Sequence, residues 1–162
     1  MLKQARIFLA DDQKPAIVAA MHYNAAGINY EQDEAVAITG WRESLQLVAA
    51  LRSALERFSF RDRNLRDSKR SEWPAYRASG CRSIREFESS YFCISVHPAN
   101  EAEIIYIAEA RPLGEEEISL SVTANSRVDK EIGQRVLKLY DACSRWSSVV
   151  ALTAPEPLAR SS

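Results

Sequence analysis

The stretch SGCRSIREFESSYFCISV, residues 79–96, gathers the side chains best suited to covalent chemistry, with two thiols and five serine hydroxyls in eighteen residues. Cys81 follows Gly80 and precedes a helix start, where amide dipoles and Arg82 would lower a thiol pKa. A cysteine nucleophile also needs a base, and His22 or His97 can meet Cys81 only through the fold. The plainer reading has more weight: Cys81 is a loop residue beside a helix cap. Cys93, flanked by Phe92 and Ile94, and Cys143, on a helical stripe, are expected to be inert core. No Gly-x-Ser-x-Gly elbow is present for serine chemistry. The chain is therefore not expected to be an enzyme.

Other chemistries find less. The two histidines sit in no Cys-x-x-Cys or His-x-x-x-His spacing, so no metal is expected. Both are expected to be solvated or capping groups at strand ends. The five glycines are scattered singly, with no loop able to wrap amides around phosphates. No cofactor is implied. Asp11-Asp12 and Glu115 to Glu117 fall in turn-like segments and read as solvated acids.

Charge is the more informative signal. Net charge is only −1, which gives no global attraction to nucleic acid or membrane. Yet residues 57–85 hold nine basic and three acidic side chains, +6, leaving −7 for the remainder. Within that segment Arg61, Arg63, Arg66, Lys69, Arg70 and Trp73 form the best nucleic-acid candidate, with arginines for phosphates and aromatics for stacking. Asp62, Asp67 and Glu72 interrupt the run. Direct nucleic-acid binding is accordingly the alternative, behind a solvated loop or a protein contact.

These groups need elements to position them. At 162 residues and 46% hydrophobic, the chain fits one domain with a real core, over residues 1–150. QARIFLA (4–10), AIVAAMHY (16–23) and AVAIT (35–39) read as strands, the third after an acidic turn EQDE. A helix is expected over 42–58, with Leu45, Val48, Leu51, Leu55 and Phe58 on one buried face. Residues 59–80 read as a long charged surface loop. Ser83-Ile-Arg-Glu86 fits a capping box, predicting a short helix with Ile84 and Phe87 inward. YFCISVH (91–97), AEIIYIAEA (102–110) and EEISLSVT (116–123) follow as strands. A second long helix is expected from near Ser126 to about Trp146, with Val128, Ile132, Val136, Leu139 and Cys143 as its stripe. Residues 151–162 read as a flexible tail.

The sum is an α+β domain with an antiparallel or mixed sheet of about six strands, two long amphipathic helices and one short helix. Each half approximates three strands followed by a helix, a possible internal duplication. No apolar run reaches membrane-spanning length and no secretory signal is apparent, and three cysteines make no disulfide framework. A cytoplasmic protein is expected.

The segments SGCRSIREFESSYFCISVHP and IIYIAEARPLG resemble the central region of immunity proteins from contact-dependent growth inhibition systems. VAITGWRESLQLVAALRSAL and ISLSVTANSRVDKEIGQRVLKLYDAC are similar to that family's recurring strand-then-helix units, so the likeness spans residues 27–145. The resemblance implies a small bacterial cytoplasmic protein that binds a cognate toxin domain and blocks it without enzymatic activity. Such toxins are often nucleases with basic clefts. Glu101, Glu103, Glu115, Glu116 and Glu117 would then cover a cationic cleft and speed association. An open strand edge would be a second contact.

Overall fold

A computed structural model describes residues 2–43, 45–63, 69, 72–112 and 118–153, with side chains in the last helix described as far as residue 148. The elements, in order, are β1 (Ala5–Leu9), β2 (Ala16–Tyr23), β3 (Asn29–Ile38), α1 (Leu45–Glu56), β4 (Ser59–Phe60), α2 (Pro74–Ser79), α3 (Ile84–Ser90), β5 (Phe92–Pro98), β6 (Ile105–Ala110), β7 (Leu120–Asn125) and α4 (Asp129–Thr153). The α+β reading holds.

Six strands form one antiparallel sheet in the order β3-β2-β1-β5-β6-β7, and the two-residue β4 adds to β2 in parallel. Outward from the β1–β5 seam, each side is a three-stranded meander. The helix after each meander, α1 or α4, lies on the same face of the sheet. That face holds the main core: Ile7, Leu9 and Val18 from one meander, Ile94, Val96 and Ala108 from the other, against Leu51, Leu55, Ile132 and Leu139. The helices meet at Gly133, where an added Cβ would lie 3.3 Å from Val48 Cγ2. The three-strands-then-helix echo of the sequence is thus an architectural match between halves.

Alternation decides which residues go where, because successive strand side chains point to opposite faces. On the other face, Phe8, Ala10, Ile17 and Ala19 pack with Ala75, Phe87 and Tyr91 in a second, smaller cluster. Among the described residues, α2 and α3, in the link between the halves, cover the β1–β3 half of that face, and none covers the β5–β7 half.

Several boundaries differ from the sequence reading. The expected loop at 59–80 contains β4 and α2, and Ala75 is fully buried. Pro74 does not break this helix; it opens it, in the first turn where its missing N–H is not needed. Gly80, at φ +69°, closes it in the left-handed conformation. The acids of EQDE lie within β3, because the turn comes earlier. There Asn24 Oδ1 accepts the amides of Ala26 (3.1 Å) and Ile28 (2.9 Å), and Gly27 takes φ +75°. In α1 the stripe is Val48, Leu51 and Leu55 with Leu47, whereas Leu45 is 70% exposed. Val128 precedes α4 and is exposed, and α4 runs to Thr153, beyond the expected end near Trp146.

The cap at α3 is close to expectation. Ser83 Oγ accepts the Glu86 amide at 3.1 Å, while the Glu86 carboxylate receives the Arg82 amide at 2.9 Å in place of that of Ser83. Phe87 is buried and Ile84 half-buried. Arg42, just before α1, ties the turn after β1 to α4. It pairs with Asp12 and Asp141 and lies over the rings of Trp41 (5.0 Å) and Tyr140 (5.3 Å). None of the helices described is long and apolar enough to cross a membrane.

Candidate functional site

The functional candidate is a cleft between the face of β1 and β3 and the residues Glu72 and Trp73 that lead into α2. Its volume is about 670 Å³, and its lining includes Arg6, Asn29, Glu31, Arg63, Lys69 and Trp73.

Glu31 is the organising residue. Its side chain is only 2% exposed, and its Oε2 accepts the Ala75 amide at 2.9 Å. Burial raises its pKa, and a side-chain hydrogen bond from Trp73, the Ala75 amide and the charge of Arg6 hold it back. Its other oxygen, Oε1, lies 3.9 Å from Arg6 Nη1, an ion pair without a hydrogen bond. Three buried polar atoms in this neighbourhood have no hydrogen-bond partner: Arg6 Nε, Asn29 Oδ1 and Glu31 Oε1. Asn29 is held by its other end, donating Nδ2–H to Gln4 Oε1 at 2.6 Å. Unsatisfied buried groups are uncommon in native proteins, and three together mark a place built for more than packing.

The rim is largely charge-paired. Asp33 receives Arg61 at 3.6 Å and Arg63 at 3.5 Å, and Glu72 accepts the Lys69 amide at 3.4 Å. Trp73 packs edge-on against Phe8 (5.8 Å) and Phe87 (5.1 Å), which fixes its ring as a wall. Of the nucleic-acid candidates, Arg63, Lys69 and Trp73 line this cleft and Arg61 joins its rim through Asp33. Arg66 and Arg70 lie outside the described residues.

Beyond Arg6 the floor continues onto the open half of the sheet. This shallower concavity, about 520 Å³, is lined by Arg6, Cys93, Ser95, His97, Glu109 and Arg111 among others. His97 Nε2 faces Glu109 across the β5–β6 ladder at 3.6 Å. Cys93 corrects the sequence reading. Its neighbours Phe92 and Ile94 belong to a core strand, but alternation turns Cys93 to the other face, where the residue is exposed although desolvation at the sheet surface pushes its thiol up to about 11. Cys143 is buried, its thiol pushed up to about 11 by that burial. Cys81 is half-buried, with its amide given to Ser79 Oγ at 3.0 Å. The two histidines lie within strands, His22 bonded to Ser59 Oγ at 2.9 Å. Among the described residues, no group of three or more His, Cys, Asp or Glu is arranged to hold a metal ion.

Two of the five expected acidic contact residues are described, and both lie away from the cleft. Glu101 is exposed on the turn between β5 and β6. Glu103, at φ +53° on the same turn, pairs with Lys3 at 3.0 Å. Glu115, Glu116 and Glu117 lie outside the described residues. The residues that sequence reasoning missed are Arg6, Asn29 and Glu31. The signal available was the period of two in Asn29, Glu31 and Asp33, which puts three polar groups on one strand face.

In fold the chain is similar to a solved protein of unknown function from Neisseria meningitidis, with a TM-score of 0.64. The likeness covers 90% of this chain and 95% of that one at 14% sequence identity. No family model matches the chain, and no curated protein matches it. At that level of identity, what the two chains share is the fold.

Proposed function

We propose that this protein is an immunity protein that binds and neutralises a cognate toxin domain, most reasonably a nuclease, by stoichiometric contact. The supporting observation is the half-covered sheet. A face left bare beside the α2–α3 ridge, polar and concave, with a partly buried cleft at its margin, suits a protein surface of matching relief. The charges of the cleft favour a protein partner over a polyanion. Arg61 and Arg63 share one carboxylate, that of Asp33, so part of the positive charge offered to a phosphate is offset there. The resemblance of residues 27–145 to immunity proteins of contact-dependent growth inhibition systems supplies the partner class.

Binding at the bare face would place Arg6, His97, Glu109 and Arg111 in the interface. Glu101 and the acids at 115–117 would add longer-range attraction to a basic toxin. The test is co-expression with the toxin domain encoded beside the gene, followed by growth and co-purification. Rescue of growth with a 1:1 complex is expected. A toxic neighbour without rescue or complex overturns the reading. Salt-sensitive binding of RNA or DNA by the protein alone would point instead to the nucleic-acid alternative through Lys69 and Trp73.

A further inference from the structure

The three unsatisfied atoms beside the cleft define the chemistry that would complete it. Arg6 Nε–H is a donor, and Asn29 Oδ1 and, with the carboxyl ionised, Glu31 Oε1 are acceptors; all three atoms are buried and have no hydrogen-bond partner. The complementary group offers one acceptor and two donors. A cation offers donors only and would leave the Arg6 Nε–H without an acceptor. An anion offers acceptors only and would meet the buried Glu31 carboxylate. A neutral, planar amide matches, because its carbonyl accepts while its NH2 donates twice.

We propose that Arg6, Asn29 and Glu31 form a recognition site for a primary carboxamide, the side chain of an asparagine or glutamine presented by the partner protein. The proposal deepens the toxin-binding reading and rests on it for the source of the group. The carboxamide oxygen takes the Arg6 Nε–H, and its two N–H groups go to Asn29 Oδ1 and Glu31 Oε1. Trp73, held by Phe8 and Phe87, gives the flat group an aromatic wall. Arg6 is the movable member. Its side chain is 31% exposed and lies 3.9 Å from Glu31, so it can swing on its stem to admit the group without breaking a hydrogen bond to that carboxylate. A site of this kind discriminates strongly, since a ligand that lacks the donors leaves buried acceptors unpaired.

The experiment uses the full chain alone, labelled with 15N, and follows the Arg6 Nε–H and Trp73 indole N–H resonances. The probes are N-acetylglutamine methylamide, its glutamate counterpart and guanosine monophosphate, whose base presents a similar donor and acceptor edge. The glutamine probe is expected to move both resonances saturably, at least about tenfold more tightly than the glutamate probe. Arg6→Lys, which keeps the charge but not the guanidinium Nε–H, is expected to lose that preference while keeping the native spectrum elsewhere. No shift with the glutamine probe, or equal shifts with glutamate, overturns the proposal. A response to the nucleotide alone overturns it in favour of a nucleobase site. Because toxin neutralisation is read by growth rescue, a failed titration with intact rescue removes the carboxamide site and leaves the broader function standing.

Discussion

At the scale of single residues, Glu31 decides most. A carboxylate with 2% of its side chain exposed, anchored to the Ala75 amide, fastens the entry of α2 to the sheet. Its folded-state pKa is raised above the ordinary glutamate value by burial. The folded protein therefore holds this proton more tightly than the unfolded chain. Stability from this group is full below the unfolded pKa and is lost as pH rises through the folded one. Glu31→Gln keeps an oxygen for Ala75 and removes the buried charge. Denaturant unfolding of both proteins from pH 4.5 to 7.5 should show the variant gaining on the parent as pH rises; a constant or shrinking difference would contradict this account. The cysteines give a second test. With folded protein, prolonged alkylation at alkaline pH followed by mass spectrometry should label Cys93, whose thiol is pushed up to about 11, ahead of Cys143, which is reached only after unfolding; equal protection of the two would contradict the exposure of Cys93. Neither Glu31 nor Cys93 was legible as such in the sequence. A charged residue beside other charges reads as a turn, and a cysteine between Phe92 and Ile94 reads as core, until strand direction and facing are known.

Local pattern carries further at the scale of elements. The α3 cap was visible as Ser83 and Glu86 because capping is a contact within one turn. Ser83→Ala should destabilise the protein by about 1 kcal/mol, the usual loss for such a cap, measured by urea unfolding. The stripes of both long helices were legible from their three- and four-residue steps, with the ends less so. Leu45 fits a three-residue step to Val48 and still faces solvent, because the stripe that is buried, Leu47, Val48, Leu51, Ala54 and Leu55, centres roughly 120° around the helix from it. Gly133 is the reverse case, an ordinary-looking helix glycine that only the α1–α4 contact explains. Replacing it by leucine would drive a side chain into Val48 and should cost roughly 1–3 kcal/mol through overpacking, despite the gain in helix propensity. Unchanged or higher stability would mean that the helices separate readily.

At the scale of the whole molecule, the β1–β5 seam joins the two meanders into one sheet, and α1 and α4 seal both halves from the same side. Opening the seam would expose Ile7, Leu9, Ile94 and Val96, all essentially buried, so the halves should not unfold separately. Amides of β1 and β5 should exchange with deuterium only at the global unfolding rate, with those of edge strands β3 and β7 faster. A biphasic unfolding curve, or a seam exchanging as fast as the edges, would mean two independent halves. The sequence by itself determined the α+β class, most strand and helix positions, the α3 cap and the likeness of the two halves. Each of these follows from contacts or periodicities local in the chain. Only the tertiary structure decided strand order, which half of the second face stays bare, and the meeting of Arg6, Asn29, Glu31 and Trp73. These depend on pairing and packing between residues far apart in sequence, where many arrangements satisfy the same local pattern and burial selects among them.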